Sequence, residues 1–187
     1  NYGIVKPVLI AFFISVLLSP MMIRYLHKLK FGQFIRGEGP ESHLKKSGTP
    51  TMGGIIIIIA IIIPCLLVGK LENIYMILML VTTLWLGTLG FLDDYIKIVM
   101  KRSEGLKPMQ KLVGQFVITG IFAWYVVNSG EVGTDMLIPF TGGFDHGKFL
   151  HLGILFVPAL FFIVLGTDNG VNFTDGLDGL CTSVTIL

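Results

Sequence analysis

Five long apolar runs dominate the chain, and they leave few folds open to it. They cover roughly Ile4–Ile23, Gly53–Val68, Ile74–Leu92, Leu112–Val127 and Phe149–Leu165. Each is near the ~20 residues that carry an α-helix through the hydrocarbon core of a bilayer. The charge they contain is Lys6, close enough to an end for its ammonium to reach the interface. Of the 187 residues, 53% are hydrophobic and 14% charged, against roughly a quarter charged in soluble domains. Lipid must therefore supply much of the solvent. Strand alternation and barrel turn spacing are missing, so the expected fold is all-α, a polytopic membrane helix bundle. The first run lacks a small-residue cleavage site and leads into a basic loop, so it reads as a span and not as a signal peptide. A sixth span is expected to start near Leu180, with the chain ending inside it.

The basic residues orient these spans. Arg24, Lys28, Lys30, Arg36, Lys45 and Lys46 lie in segment Arg24–Met52, and Lys97, Lys101, Arg102, Lys107 and Lys111 in segment Asp93–Lys111. Of the 14 Lys and Arg residues this leaves Lys6, Lys70 and Lys148 for the opposite side. The positive-inside rule then puts these two segments, together with Gly166–Gly179, in the cytoplasm. The outer segment Asn128–Lys148 carries Gly142-Gly143 between apolar stretches, a pattern suited to a short hairpin. A net charge of +2 gives no argument for nucleic acid, and Cys65 and Cys181 have no disulfide or zinc spacing.

Three residue clusters fall on the predicted cytoplasmic side. Residues 38 to 54 form a Gly- and Pro-rich loop in which Gly48, Gly53 and Gly54, with Lys45, Lys46, Thr49 and Thr51, could cradle a diphosphate. A loop whose lysines meet anionic lipid is the other reading. Next, Phe91-Leu92-Asp93-Asp94-Tyr95 closes the third span, with Lys97 one turn later. Paired carboxylates at a membrane helix end are costly unless they meet water, a cation or a metal. Oxygen ligands of this kind suit magnesium, which binds one or two carboxylates together with substrate phosphates. An interfacial anchor is the alternative. The third cluster is Thr167-Asp168-Asn169-Gly170-Val171-Asn172-Phe173-Thr174-Asp175-Gly176-Leu177-Asp178-Gly179. If it is helical, Asn172, Asp175 and Asp178 share one face. Its glycines do not follow an EF-hand loop.

At these clusters the chain resembles the phospho-N-acetylmuramoyl-pentapeptide transferase family. The resemblance is carried by Gly48-Thr49-Pro50-Thr51-Met52-Gly53-Gly54, Phe91-Leu92-Asp93-Asp94-Tyr95 and Asn172-Phe173-Thr174-Asp175-Gly176-Leu177-Asp178-Gly179. Phe173 stands where leucine is common, and Asp168 where glycine is often found. The resemblance implies about ten spans in the whole fold, so residues 1–187 are expected to be the N-terminal half of a single membrane transferase domain. It implies catalytic roles for Asp93, Asp94, Lys97, Lys111, Asn172, Asp175 and His43. Lys46, Thr51, Gly176, Leu177 and Asp178 would contact the uridine diphosphate donor. Asp93, Asp94 and Asp175 would be magnesium ligands, with a further ligand beyond Leu187. The implied reaction moves phospho-N-acetylmuramoyl-pentapeptide from UDP to undecaprenyl phosphate, giving lipid I and uridine monophosphate (UMP) for peptidoglycan synthesis. It would run at the cytoplasmic face of a bacterial inner membrane, with no nucleic-acid partner, and is compatible with a homodimer. The sister activity, N-acetylglucosamine-1-phosphate transfer to a polyprenyl phosphate, is the near alternative. A transporter is the remote one, since its acids would sit at midmembrane.

Overall fold

The computed structural model describes residues 3–28, 52–101, 104–129, 133–143, 146–174, 181 and 183. The α-helices within them are α1 (Val5–Lys28), α2 (Gly54–Val68), α3 (Ile74–Val99), α4 (Pro108–Ser129) and α5 (Phe156–Thr174). Two compact units divide the chain, Asn1–Lys111 and Leu112–Leu187.

In the first unit α1 packs on α2, and α2 on α3. Helix α2 is almost uniformly aliphatic, so position and not polarity decides what it buries. Ile56, Ala60 and Pro64, one every fourth residue, form its buried stripe. The helix starts sharply, because Met52 takes a left-handed conformation (φ 70°) immediately before it. At the other end the Gly69 amide closes the last turn on the Cys65 carbonyl at 2.9 Å. Asn73 then caps α3, its side chain accepting the Tyr75 amide at 2.9 Å. A Cβ at Gly87 would run into Ile58 Cδ1, so a side chain there would force that isoleucine of α2 to shift.

Helix α4 begins at Pro108, whose missing N–H costs nothing at a first helical position. The Lys107 amide donates to Gln110 Oε1 at 3.0 Å, half of a capping box. In the second unit the buried face of α4 is Gln115, Ile118, Thr119, Ala123 and Val126, at helical spacing. Phe116 of α4 meets Phe161 of α5 with ring centroids 5.1 Å apart. The expected hairpin is present as antiparallel strands β1 (Asp135–Leu137) and β2 (Phe149–His151), pairing Asp135 with His151. Gly142, at φ 134°, makes a turn conformation that a side chain would strain.

Helices α1, α3 and α4, and the segment Gly153–Thr174 that includes α5, are long and apolar enough to cross a membrane. Leu17, Met79, Trp124 and Phe162 stand exposed on these segments, as lipid-facing residues do. The fold is therefore that of a multi-pass helical membrane protein. Helix α2, with 15 residues, rises only about 22 Å, short of the ~30 Å hydrocarbon core.

Helix limits differ from the apolar runs in both directions. Helix α3 continues past Leu92 to Val99, and α5 past Leu165 to Thr174, through residues expected to be loop. Phe149–His151, expected at the start of the fifth span, is a strand instead. Hydropathy marks where lipid ends. A helix stops only where its backbone loses its i−4 partners, and polar residues on its surface do not remove them.

Candidate active site

The acid pair lies inside α3 and not beyond it. Phe91 and Tyr95 stack one turn apart with centroids at 6.0 Å, an aromatic girdle where a span meets the interface. Asp93 and Asp94 follow the same helix, and three and four residues on, its periodicity brings Lys97 back under both. Lys97 Nζ lies 2.6 Å from Asp93 Oδ2 and 3.2 Å from Asp94 Oδ1. One ammonium thus bridges two adjacent carboxylates and offsets part of their repulsion at a membrane edge, leaving the trio net negative. The two acids are not equivalent. The Asp93 side chain is 16% exposed and that of Asp94 36%. Asp93 Oδ1 also accepts the Leu106 amide at 2.8 Å, across the turn that follows the helix. Lys101, just after the helix, has a positive φ of 50°.

Lys111 sits half-buried in the first turn of α4. Asn172 is exposed in the last turn of α5. His43, Lys46, Thr51, Asp175, Gly176, Leu177 and Asp178 lie outside the described residues. Among the described residues no three of the His, Cys, Asp and Glu side chains converge in a ligand cluster. The structure therefore brings together Asp93, Asp94 and Lys97 of the expected set.

Inside the second unit is a polar cluster that hydropathy alone did not single out. Gln115 of α4 is fully buried. Its Nε2 donates to Asp168 Oδ2 of α5, and its Oε1 accepts Asn169 Nδ2 at 3.1 Å. Asn169 Nδ2 also donates to the Leu165 carbonyl at 2.8 Å. This gives Asp168 a partner within the fold. The available signal was a lone glutamine inside an apolar span, where an unsatisfied amide is expensive. Gly105 and the Leu106 amide, which reach Asp93, had no such signal.

A family model described as glycosyl transferase family 4 matches residues 76–187, which include nearly all of α3, all of α4 and α5, and both polar clusters described above. The chain belongs to glycosyl transferase family 4. Within this family, a signature described for phospho-N-acetylmuramoyl-pentapeptide-transferase matches residues 46–58. Curated proteins of that name are similar to the chain. One from Bacillus subtilis (strain 168) is 48% identical over 184 residues, 96% of this chain and 55% of that protein. One from Clostridium novyi (strain NT) is 43% identical over 180 residues, 96% of this chain and 54% of that protein. A third, from Clostridium kluyveri (strain NBRC 12016), is 44% identical over 186 residues, 100% of this chain and 57% of that protein. The chain spans a little over half the length of these family 4 relatives.

Proposed function

We propose that the whole protein transfers phospho-N-acetylmuramoyl-pentapeptide from UDP to undecaprenyl phosphate in a bacterial inner membrane. The observation that carries this reading is the Asp93–Asp94–Lys97 constellation on the end of a membrane-length helix, in a chain with the transferase signature at residues 46–58. The names of the similar proteins support the choice of this donor over UDP-N-acetylglucosamine. The bias of basic residues toward segments Arg24–Met52 and Asp93–Lys111 supports a cytoplasmic site. On this reading, residues 1–187 belong to a single membrane transferase domain.

The chemistry is phosphoryl transfer between two anions. An oxygen of the lipid phosphate attacks the phosphorus that bears the sugar. The bond from that phosphorus to the bridging oxygen breaks, and UMP leaves. The attacking oxygen needs little activation, but approach of the two anions must be screened. Lys97 and Lys111 supply fixed positive charge toward the phosphates. Asp93 or Asp94 orients the lipid phosphate and takes up any proton it carries. Asn172, with Asp175 and Asp178, holds the donor, whose uridine diphosphate also meets Lys46, Thr51, Gly176 and Leu177. His43 is assigned to the same catalytic set.

Magnesium fits the donor chemistry of the pair. Both acids offer hard oxygen ligands, and the Asp94 carboxylate is more than a third exposed, leaving access for a hydrated cation. Asp93, Asp94 and Asp175 would hold it, and when bound it would neutralise charge on the donor diphosphate.

The test is transfer of labelled sugar from UDP-N-acetylmuramoyl-pentapeptide to undecaprenyl phosphate by full-length protein in detergent, with UMP release measured alongside. Lipid-linked product with stoichiometric UMP is expected. Product only with UDP-N-acetylglucosamine would move the protein to the sister activity, and no product with either donor would overturn the reading.

A further inference from the structure

The turn after α3 approaches the acid pair more closely than any side chain would allow. Gly105 is buried, and a Cβ built on it would overlap both the carboxylate and the carbonyl oxygen of Asp93. The next amide, that of Leu106, donates to Asp93 Oδ1 at 2.8 Å. The other oxygen, Oδ2, faces Lys97 Nζ at 2.6 Å. Asp93 is thus gripped from two sides, by a backbone amide on one oxygen and an ammonium on the other. A carboxylate held at both oxygens has lost most of its rotational freedom about χ2. Lys97 is fixed in turn, because the oxygen it faces cannot swing away.

We propose that Gly105 and the Leu106 amide are positioning elements of the active site, which set the Asp93 carboxylate and, through it, the Lys97 ammonium. The proposal rests on the transferase reading, but it concerns a turn to which that reading assigns no role. Glycine is required at 105 because the Leu106 amide can reach Asp93 only if the preceding residue has no side chain between them. Lys97 remains a catalytic residue in this scheme. Gly105 acts through Asp93.

The test compares Gly105→Ala with Gly90→Ala in the full-length protein. Gly90 lies one turn before Asp93 on α3, and a Cβ there meets nothing within 4 Å. Gly90→Ala is expected to keep wild-type transfer. Gly105→Ala is expected to lower kcat by about tenfold or more while KM for the nucleotide donor stays within about twofold, since the displaced charge matters most in the transition state. Donor affinity, measured by calorimetry without lipid acceptor, should likewise be unchanged. An unchanged kcat in Gly105→Ala, with the wild type active, would overturn the proposal and leave the transferase reading intact. An inactive wild type would defeat that reading instead.

Thermal midpoints cover the case in which Gly105→Ala folds poorly. The loss caused by Gly105→Ala should be smaller when Asp93 is already alanine, because the carboxylate it would displace is gone. Equal losses in both backgrounds would overturn the proposal, whether or not the variants transfer sugar.

Discussion

Gln115 of α4 and Asp168 of α5 are joined by a hydrogen bond from the glutamine Nε2 to the aspartate Oδ2, with the glutamine wholly buried. Asn169 completes the arrangement by donating to Gln115 Oε1. A single amide therefore answers both polar groups that α5 turns toward α4. The consequence for stability is direct. Gln115→Leu leaves a part-buried carboxylate without its donor, and should cost about 1–3 kcal/mol of unfolding free energy. Replacing Asp168 by leucine as well should return part of that loss, because the carboxylate is gone and Asn169 keeps the Leu165 carbonyl as an acceptor. Unfolding in detergent, followed by helical circular dichroism, measures both. A double variant no better than Gln115→Leu would remove the hydrogen bond as the cause.

Asp94→Asn changes charge at nearly constant volume, on a side chain that is more than a third exposed. Transfer by the full-length variant should fall at least about 100-fold, while the unfolding free energy stays within about 0.5 kcal/mol of wild type. Parallel activity and melting measurements check this. Retained turnover would take the Asp94 carboxylate out of the reaction.

Chelation separates the metal from the lysines. If Asp93 and Asp94 hold magnesium, excess EDTA should stop transfer and added magnesium restore it. Calcium, larger and more loosely coordinated, should restore less. Full turnover under chelation would mean that Lys97 and its neighbours screen the phosphates without a cation.

The α2–α3 approach gives a prediction independent of function. A side chain at Gly87 would meet Ile58 Cδ1, so Gly87→Val should cost about 1–3 kcal/mol. Ile58→Ala introduced alongside it should recover part of that loss by vacating the space. Denaturation midpoints of the two single variants and the double variant decide it, and strictly additive losses would count against the contact.

The Asp93–Asp94–Lys97 cluster was legible because membrane chemistry makes polar residues conspicuous. Asp93-Asp94 stood out at the end of an apolar run, with Lys97 one turn later, and the continuation of α3 to Val99 put all three on one helix. The hairpin around Gly142-Gly143 was legible from turn chemistry. Gly105 was not, because a glycine in a polar loop looks the same whether it faces water or a carboxylate. Asp168 read as a departure from the family pattern until Gln115, more than fifty residues earlier, appeared beside it.

The sequence by itself determined a multi-pass helical fold, the family, and which acids and bases could meet. Those follow from hydropathy, local spacing and motif order, all of which are properties of neighbours along the chain. Only the tertiary structure decided how far α3 and α5 extend past their apolar runs, which aspartate the turn at Gly105 grips, and what Gln115 satisfies. Those depend on groups brought together through space, where a missing Cβ or a single amide decides what fits, and no local pattern records them.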